Sequence, residues 1–438
     1  MPFLRLALRH ARASRVVSSR GFATTRTLGL PGSGEAIEAQ ALTFSEFGDP
    51  QKVLRLTPHK IKRSAISTGN SLLLRTLAAP VNPADINVVQ GTYGALPRFI
   101  PSAFGRNVES VEPPVAIPGN EGVFEVLEAG VDVDKEQYAP GDWVLPVGSG
   151  YGTWRTHVLT TSSDTKLWKI PSYIRNSRGL TVMQAATATV NPLTALKLLH
   201  TFGANAGDWV LQNGANSAVG RLVIQLAKLN DIKTLNVVRE RETPRETEQL
   251  RGALQALGAD VVVTDSQLGR ELAQILKDVS GGKGAKLMFD CVGGSAATSL
   301  AKSLNPDGKV ITYGAMSKKP MMPGAGMLIF KGITFEGFWV SKWGERFPRR
   351  KKESLEYLLN QMASGNLQMG ATAPVPWRGD ELRLVDTVGL TLEGKRRGKS
   401  VFVFPDDGEL DKPSFGLDAQ LGKAVVEIGH NERPEGEK

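Results

Sequence analysis

Residues 208 to 315 alternate between short apolar runs and longer amphipathic stretches, and no other feature of the chain constrains its fold as strongly. The apolar runs predict buried strands, and the stretches between them predict helices, one of which ends at Gly258. Strict alternation of strand and helix is typical of an α/β protein with a parallel, doubly wound sheet. The predicted strands have the sequences DWVLQNG, TLNVVRE, ADVVVT, AKLMFDCVGG and KVITYGA.

The sequence NGANSAVG, residues 213–220, joins the first of these strands to the helix that follows. A helix N-terminus offers free N–H groups and partial positive charge, which suit a phosphate. Asn, Ala and Ser replace some of the glycines usual in such loops, but they are small enough to let phosphate oxygens reach the backbone. Gly220 allows the helix to pack closely on the strand. The loop therefore predicts a dinucleotide site.

The second strand ends in Arg239, Glu240 and Arg241, about twenty residues beyond the loop. Enzymes that bind NAD usually carry Asp or Glu here for the ribose 2′-hydroxyl, whereas two arginines suit a 2′-phosphate through charge-assisted hydrogen bonds. Glu240 is compatible with NAD, and a solvated charge cluster is the alternative, because charged residues continue beyond this point. The arginine pair favours NADPH.

Residues 36–180 have a different pattern, in which short apolar runs are separated by Gly and Pro. This spacing predicts a β-rich, barrel-like domain that precedes the doubly wound one. After residue 315 the alternation loosens into an amphipathic helix, KKESLEYLLNQMASG, and a short late strand, KSVFVF. Residues 405–438 carry nine acidic and four basic residues and few large apolar ones, which predicts a flexible acidic tail.

The first 30 residues contain arginine but no Lys, Asp or Glu, and the first carboxylate is that of Glu35. As a helix, this segment would place Leu and Val on one face and Arg on the other. That profile is typical of a mitochondrial presequence, and a disordered basic tail is the alternative. The arginines are Arg5, Arg9, Arg12, Arg15, Arg20 and Arg26.

Charge and composition exclude several classes of protein. Without the six N-terminal arginines the net charge of +9 falls to +9 − 6 = +3, and no basic-aromatic pattern predicts nucleic-acid binding. No apolar run approaches the roughly eighteen residues needed for membrane insertion. The single cysteine, Cys291, permits neither an internal disulfide nor a Cys-rich zinc site, and we expect it to serve packing. A reducing compartment such as the mitochondrial matrix fits this composition.

The segment NPADINVVQGTYG, residues 82–94, is dense with Asn, Asp, Gln and Tyr in a β-rich region. A tyrosine among polar groups can donate a proton where negative charge forms. The alternative is that Tyr93 is a half-buried ring whose hydroxyl has an ordinary partner. These residues alone leave both interpretations open.

Several sequence blocks occur in a fixed order between residues 41 and 404. They are LAAPVNPADINVVQGTYGALP, GNEG, GTWRTHV, QNGANSAVGRLVIQLAK, NVVRER, FDCVGG, VITYGAMSKKP and LIFKGITFEGFWVSKW. Together they resemble the mitochondrial trans-2-enoyl-CoA (enoyl-[acyl-carrier-protein]) reductases of the medium-chain dehydrogenase/reductase superfamily. The resemblance implies a GroES-like β-barrel catalytic domain joined to a Rossmann domain.

The resemblance also implies domain boundaries. A presequence would occupy residues 1–30, and the GroES-like catalytic domain would occupy residues 36–185. The Rossmann cofactor-binding domain would span residues 186–344, and residues 345–404 would return to the catalytic domain. The acidic tail, residues 405–438, has no counterpart in the family's pattern.

The family's proton donor is the tyrosine of its QGxYG block, which is Tyr93 here. This chain departs from the family at Ala315, where relatives commonly carry a second glycine, and we expect this small change to be tolerated. The positions that match the family's cofactor residues are Asn191, Asn216, Ser217, Ala218, Val219, Arg239, Glu240, Arg241, Tyr313, Gly314, Ala315, Met316, Phe338, Trp339, Val340, Ser341 and Lys399.

The implied reaction is NADPH-dependent reduction of the C2–C3 double bond of trans-2-enoyl thioesters in mitochondrial fatty acid synthesis. Hydride would go to C3, and Tyr93 would protonate C2. The implied substrate is an enoyl-CoA or an enoyl-acyl-carrier-protein, and the implied assembly is a homodimer.

Zinc is not expected, because zinc alcohol dehydrogenases of this superfamily carry a PGHE block where this chain has PGNEG, residues 118–122. His59, His157 and His200 show no ligand spacing. Two alternatives remain: a zinc-independent NADPH quinone oxidoreductase and a non-enzymatic nucleotide-binding relative. The block around Tyr93, the arginine pair and the presequence favour the enoyl reductase over the former, and Tyr93, Asn191 and Lys399 together favour an enzyme over the latter.

Overall fold

The computed structural model describes residues 36–105, 108, 110–177, 179–392 and 398–405. The predicted presequence, residues 1–30, and the predicted tail from residue 406 onward lie outside the described residues. Within the described part of the chain, the strands form a two-stranded, a seven-stranded and a six-stranded sheet.

The two-stranded sheet comes first along the chain. β1 (Ala36–Thr43) pairs antiparallel with β2 (Arg55–Lys62), and α1 (Pro50–Val53) joins them. Asp49 is the N-cap of α1, and its carboxylate accepts the N–H of Gln51 and so satisfies one of the free donors at the helix start. The sequence predicted a β-rich region here without these particular strands.

The seven-stranded sheet is mostly antiparallel and forms the barrel-like part of the molecule. Its first strands are β3 (Ser71–Pro80), β4 (Val123–Ala129), β5 (Trp143–Pro146), β6 (His157–Thr161) and β7 (Leu167–Lys169). β3 lies between β4 and β6, and two shifts in its register with β4 allow the long strand to bend. The helices of this region are α2 (Pro83–Val89), α3 (Ser172–Arg175) and α4 (Val182–Ala186).

The six-stranded sheet is parallel throughout, as the alternating segment predicted. Its strands are β8 (Trp209–Gln212), β9 (Lys233–Val238), β10 (Val261–Thr264), β11 (Leu287–Asp290), β12 (Lys309–Thr312) and β13 (Thr334–Gly337), in the order β10-β9-β8-β11-β12-β13. The order reverses between β8 and β11, and ligands of doubly wound sheets bind at such a point. β13 was not predicted, because TFEG is short and half polar.

Helices flank this sheet, and local signals set several of their ends. They are α5 (Asn191–Thr201), α6 (Ala218–Leu229), α7 (Pro244–Leu257), α8 (Arg270–Val279), α9 (Gly294–Ala301), α10 (Ala325–Ile329) and α11 (Val340–Arg346). Thr243 and Glu246 form a capping box at the start of α7, and Gly258 ends it with a φ of 111°. The predicted end of this helix at Gly258 is confirmed.

The last described segment returns to the seven-stranded sheet. α12 (Pro348–Ala363) is followed by β14 (Thr372–Pro376), α13 (Glu381–Leu392) and β15 (Lys399–Val403). β15 runs antiparallel to β3, with Val401 opposite Pro80, and β14 runs parallel to β15. The amphipathic helix and the late strand predicted from the sequence are both confirmed.

One buried cluster connects the two larger sheets. It contains Val123 and Leu145 from the seven-stranded sheet, Phe289 from the parallel sheet and Leu358 from α12. Burial of one large aliphatic side chain contributes about 1.5–3 kcal/mol, so this shared core holds the two sheets in a defined arrangement. The polar groups at their junction therefore lie in a fixed geometry.

Candidate active site

The loop at residues 213–220 lies where the strand order of the parallel sheet reverses. Gly214 has a φ of 57°, and a Cβ at this position would lie 2.6 Å from Cys291 Sγ. A Cβ at Gly220 would lie 2.7 Å from the Cα of Ala215. Both glycines are therefore needed for the tight turn and for the close approach of α6 to the loop.

Ser217 is the N-cap of α6 and fixes its first turn, because its hydroxyl oxygen accepts the N–H of Gly220 at 3.1 Å. Arg221 Nε donates to the carbonyl oxygen of Asn216 at 3.2 Å and holds the loop from the other side. The result is a cradle of small residues at a helix N-terminus. Such a cradle fits the pyrophosphate of a dinucleotide.

Asn213 ties the loop to the end of β11. Its Nδ2 donates to Asp290 Oδ1 at 2.6 Å, and its Oδ1 accepts the N–H of Cys291 at 2.9 Å. Burial raises the pKa of the Cys291 thiol, so the thiol stays protonated at neutral pH and behaves as a packing group. The sequence predicted Asn213 to be tolerated for its size, whereas the structure gives its side chain two specific bonds.

Residues 313–316 lie against the same strand end as the loop. The N–H of Tyr313 donates to the carbonyl oxygen of Asp290 at 2.9 Å, and that of Met316 donates to the carbonyl oxygen of Cys291 at 2.9 Å. A Cβ at Gly314 would lie 3.3 Å from Cys291, so the segment passes close to it. Two predicted groups of cofactor residues, the loop and this segment, thus meet beside β11.

Arg239, Glu240 and Arg241 follow β9, and all three are exposed. The N–H of Glu240 donates to Asp265 Oδ1 at 3.0 Å, and that of Arg241 donates to Thr247 Oγ1 at 3.0 Å. These bonds fix the backbone of the segment while the charged side chains reach into solvent.

Residues 338–341 follow β13 and divide between the core and the cleft. Phe338 is buried, and its ring packs edge-on against Phe202 at 5.8 Å, so only its backbone is available to a cofactor. Trp339 instead points across the cleft to Tyr93. Its Nε1 donates to the Tyr93 hydroxyl oxygen at 2.9 Å, and the two rings meet edge to face at 5.6 Å.

Tyr93 is half-buried at the junction of the two sheets, and burial is the main reason that its pKa is raised. The indole N–H can only donate, so its bond to the tyrosine oxygen does not use the hydroxyl proton. The side chain of Ser341 is a second hydrogen-bond partner of this hydroxyl. A tyrosine that stays protonated beside a cleft is suited to general acid catalysis.

A small cavity of about 20 Å³ lies beside Ser341 and Val340. Asn120, Thr189 and Lys351 also line it. The hydroxyl of Thr189 is buried, and the described part of the structure gives it no hydrogen-bond partner. This hydroxyl is available to a ligand bound in the cleft.

Asp85, in α2, is fully buried, and its carboxylate accepts hydrogen bonds from two separate segments of the chain. Its Oδ2 accepts the N–H of Asn82 at 2.8 Å, and its Oδ1 accepts the N–H and Nδ2 of Asn120 at 2.9 and 2.7 Å. Burial raises its pKa to about 6, although these hydrogen bonds oppose the shift. Asp85 thereby anchors the helix that leads to Tyr93.

Glu121 is a second fully buried carboxylate, and it connects distant segments of the chain. Its Oε1 accepts the N–H of Val190 at the start of α5 at 2.8 Å. Its Oε2 accepts Asn82 Nδ2 at 2.9 Å and lies 3.5 Å from Lys399 Nζ. Lys399 Nζ also donates to Asn82 Oδ1 at 2.6 Å. Asn191, the first residue of α5, directly follows the backbone that Glu121 holds.

Sequence reasoning did not identify Asp85, Asn120 and Glu121 as site residues. Two signals could have found them. The Asn-x-x-Asp spacing from Asn82 to Asp85 is typical of a helix start, and PGNEG places polar residues directly before an apolar strand. The bonds between these segments could not be read from the sequence.

One further feature lies outside this cleft. A larger cavity of about 350 Å³ lies at the N-terminal ends of strands β8, β11 and β12, at the end of the parallel sheet opposite the loop, and Trp209, Lys286 and Lys309 help to line it. Among the described residues, no group of His, Cys, Asp or Glu is arranged to hold a metal ion. No helix in the described ranges is long and apolar enough to cross a membrane.

A parallel sheet with a nucleotide cradle at its reversal point, facing a barrel-like sheet that presents a tyrosine across a cleft, defines an oxidoreductase of the medium-chain dehydrogenase/reductase class. The sequence pattern of a family described as "Zinc-binding dehydrogenase" matches residues 218–356. That match covers most of the parallel sheet and the start of the return segment.

Proteins of similar sequence identify the family within this class. The mitochondrial enoyl-[acyl-carrier-protein] reductase of Yarrowia lipolytica is 38% identical over 352 residues, which are 80% of this chain and 85% of that protein. The Homo sapiens protein of the same name is 38% identical over 347 residues, covering 78% and 84% of the two chains. The chain belongs to the family of mitochondrial enoyl-[acyl-carrier-protein] reductases. Its localisation to the mitochondrion, predicted from the arginine-rich N-terminus, is confirmed by these relatives.

Solved structures agree on the fold. A mitochondrial 2-enoyl thioester reductase, the Etr1p/Etr2p heterodimer from Candida tropicalis, is 33% identical with a TM-score of 0.75, covering 84% of this chain and 100% of that one. A complex of Etr1p with NADP and crotonyl-CoA is 34% identical with the same TM-score and the same coverage of both chains. The predicted combination of a Rossmann sheet and a GroES-like barrel is confirmed.

Proposed function

We propose that this protein reduces the C2–C3 double bond of trans-2-enoyl thioesters with NADPH, and that Tyr93 is the proton donor. The contact across the cleft carries the proposal, because Trp339 Nε1 holds the Tyr93 oxygen at 2.9 Å. Trp339 lies in the segment 338–341, which matches cofactor positions of the family. This contact supports a proton donor next to the nicotinamide.

The substrate class comes from the relatives. Etr1p has been solved with NADP and crotonyl-CoA, and the relatives from Yarrowia lipolytica and Homo sapiens are named for the acyl carrier protein. We extend both to this chain, so that its substrate is an enoyl thioester carried by CoA or by an acyl carrier protein.

When bound, NADPH supplies a hydride to C3 of the enoyl thioester, and negative charge moves to the thioester oxygen. Tyr93 then gives its hydroxyl proton to C2, and the electron pair of the enolate forms the new C–H bond. The Trp339 N–H stays bonded to the tyrosine oxygen and stabilises the phenolate that remains. Water returns a proton to Tyr93 and completes the cycle.

The cofactor contacts are proposed from where the matching residues lie. Asn216 to Val219 would hold the pyrophosphate through the backbone at the start of α6, and Tyr313 to Met316 would border it. Residues 338–341 would contact the nicotinamide end, with Phe338 acting through its backbone alone, since its ring is buried. Asn191 would contact the cofactor from the start of α5.

Arg239 and Arg241 would bind the 2′-phosphate of NADPH, since both guanidinium groups are exposed on a backbone that hydrogen bonds hold in place. Glu240 is equally exposed, so it can turn away into solvent. Lys399 has a less direct role in this proposal. Its ammonium is bonded to Asn82 and Glu121, so it orders the junction from which the cofactor residues extend.

The predicted domain boundaries stay part of the proposal. Residues 36–185 with 345–404 would form the catalytic domain, and residues 186–344 would form the cofactor domain. The position of β15 beside β3 supports the return.

We further propose a homodimer. β13 is the edge strand of the parallel sheet in the described chain, and the nearby Ile329 and Phe330 are 70% and 84% exposed. An open strand edge beside exposed apolar side chains favours pairing with a second copy. Sedimentation of the purified protein at a dimer's mass supports this assembly, and a monomer at micromolar concentration would contradict it.

The enzyme assay compares two substrates and two nucleotides on one purified preparation. Crotonyl-CoA and 1,2-naphthoquinone are each mixed with NADPH and with NADH, and nucleotide oxidation is followed. We expect the fastest turnover with crotonyl-CoA and NADPH. Turnover of the quinone alone would indicate the quinone oxidoreductase, and nucleotide binding without turnover of either would indicate a non-enzymatic relative.

A further inference from the structure

The loop that follows β5 lies at the rim of the cleft and is bonded on two sides. We name residues 147–150 the β5 loop, since it connects Pro146, the last residue of β5, to Tyr151. The proposed reaction uses none of its residues. Ser149 of this loop nevertheless lines the small cavity beside Ser341. The β5 loop is therefore a neighbour of the segment that faces Tyr93.

On one side, the β5 loop is bonded to the segments that lead to Tyr93. The N–H of Gly150 donates to Asn120 Oδ1 at 2.8 Å. Asn120 in turn donates to the carboxylate of Asp85, through its N–H at 2.9 Å and its Nδ2 at 2.7 Å. Asp85 lies in α2, which ends shortly before Tyr93. These bonds connect the position of the β5 loop to that of the tyrosine.

On its other side, the β5 loop is bonded to α11 and α12. Lys351 Nζ, from α12, donates to the carbonyl oxygen of Val147 at 2.6 Å. Ser149 Oγ donates to Glu345 Oε1, from α11, at 2.9 Å. Lys351 is only 7% exposed, whereas Glu345 is an exposed residue. The buried bond of Lys351 is therefore the firmer of the two, because water competes less for it.

Lys351 also fixes α11 through the packing of its aliphatic stem. A Cβ at Gly344, in α11, would lie 2.7 Å from Lys351 Cδ, so the helix and the lysine are in close contact. Burial lowers the pKa of Lys351 to about 8, while Glu345 and Glu121 oppose the shift, so the amine is still mostly protonated at pH 7. Burying an ammonium costs free energy unless it is hydrogen-bonded, and here its bond is to the β5 loop.

α11 carries the partners of the Tyr93 hydroxyl at its beginning. Trp339 is the N-cap of this helix, and Ser341 lies in its first turn. Both side chains are hydrogen-bond partners of the Tyr93 hydroxyl. α11 has only seven residues, so a shift at Gly344 or Glu345 would move Trp339 and Ser341 as well. The contacts from Tyr93 through the β5 loop to α11 thus form a closed ring.

We propose that Lys351 is a positioning residue for proton transfer, because it fastens the β5 loop to α11 and α12 and thereby sets the place of Tyr93 opposite the nicotinamide. The exposed bond between Ser149 and Glu345 assists it. This inference rests on the proposed function and adds to it a residue that orients the proton donor. Lys351 acts through the β5 loop and α11 and contacts none of the reacting atoms.

Misplacement of a catalytic group by about 1 Å can lower a rate by about 100-fold. A displaced proton donor has a second consequence, which concerns the product. Without Tyr93 in place, water supplies the proton to C2 and can do so from either face of the enolate. The configuration at C2 therefore reports the position of Tyr93 separately from the amount of folded enzyme.

The test replaces Lys351 by methionine, which keeps an unbranched stem and removes the ammonium. Crotonyl-CoA is reduced in deuterated water by NADPH that is deuterated at C4, which places one deuterium at C3 and one at C2. Proton coupling between C2 and C3, measured by NMR, distinguishes the two relative configurations. Wild type should give one configuration, and Tyr93→Phe should give a mixture. For Lys351→Met we expect a mixture and a fall in kcat of about tenfold, with KM for NADPH within about twofold of wild type.

The matched control is Lys169→Met. Lys169 Nζ also donates to a backbone carbonyl at 2.6 Å, that of Glu136, but it lies on β7 opposite Val144, near the other end of β5. We expect this variant to give the single configuration of wild type. Ser149→Ala removes the exposed bond to Glu345 and should give a smaller share of the second configuration. It replaces Lys351→Met as the deciding variant if the methionine prevents folding.

A single configuration from the deciding variant would overturn the positioning role, whether or not kcat falls. A lysine needed only for the fold would reduce the amount of active enzyme and leave the product unchanged. That outcome leaves the proposed reaction standing, since wild type and Tyr93→Phe still differ. A mixture from wild type, or no reduction by wild type, would instead overturn the proposed role of Tyr93 and this inference with it.

Discussion

The two polar regions of the cleft are built in opposite ways. The nucleotide loop at residues 213–220 is one continuous segment of small side chains, and the ligand groups that we propose for it are backbone N–H groups at the start of α6. The buried cluster of Asn82, Asp85, Glu121 and Lys399 draws its members from three separate segments, and side-chain hydrogen bonds connect them. Sites of the first kind are visible in a sequence, and sites of the second kind appear only after folding.

The largest effect should come from Tyr93, which faces Trp339 across the cleft. Tyr93→Phe removes the transferable proton, and we expect kcat with crotonyl-CoA to fall by about 100-fold, and by no less than about tenfold. NADPH affinity, measured by quenching of protein fluorescence, should stay unchanged. Tyr173→Phe is the control, because it removes an exposed hydroxyl bonded to Glu356. Wild-type turnover in Tyr93→Phe would rule out its role as proton donor.

The buried cluster should matter next, and chiefly for stability. Glu121→Ala leaves the Lys399 ammonium without its buried counter-charge and the N–H of Val190 without its acceptor, so we expect the free energy of unfolding to fall by about 2 kcal/mol. Urea denaturation measures this loss. Glu38→Ala, which breaks an ion pair whose side chains are 64% and 72% exposed, should change stability by less than about 0.5 kcal/mol. Equal effects of the two substitutions would show that Glu121 is not a structural connection.

Arg239 and Arg241, the residues proposed to bind the 2′-phosphate, should affect ligand binding and not stability. Arg239→Ala/Arg241→Ala removes two exposed guanidinium groups, so we expect KM for NADPH to rise by about tenfold. KM for NADH and the unfolding midpoint should stay as in wild type. An equal rise of both KM values would mean that the arginines do not read the 2′-phosphate.

The smallest effect concerns Asp85 and pH. Burial raises its folded pKa to about 6, above the ordinary value of 3.8, so the folded state takes up a proton before the unfolded state does. The contribution of Asp85 to the free energy of unfolding therefore increases as pH falls through 6 and decreases as pH rises. Relative to Asp85→Asn, wild type should gain about 1 kcal/mol between pH 7 and pH 5. A stability difference that does not change with pH would contradict the shifted pKa.

The sequence predicted the parts of the molecule that depend on local pattern. The parallel sheet follows from apolar periodicity, the end of α7 follows from Gly258, and the nucleotide loop follows from its place between strand and helix. β13 was missed because an edge strand of four residues needs little apolar sequence. Helix α2 was also missed, because its segment was interpreted from its polar residues and not from a helical pattern.

The site likewise contains residues that local sequence predicts and contacts that depend on folding. Tyr93 could be named from its block, but its bond to Trp339 joins residues 246 positions apart, and no periodicity encodes such a contact. The side chain of Phe338 turned out to be buried although its neighbour faces the cleft, because side chains at successive positions point in different directions. The connection of Glu121 to Val190 depends on how the two sheets pack.

In the proposed mechanism, Tyr93 and a bound nicotinamide act on opposite ends of one double bond. The most direct test is reduction of crotonyl-CoA by unlabelled NADPH in deuterated water, with the position of deuterium in the butyryl product read by NMR. We expect one deuterium at C2 and none at C3, because the C2 proton comes from Tyr93, which exchanges with solvent. Deuterium at C3, or nucleotide oxidation that leaves the double bond intact, would contradict it.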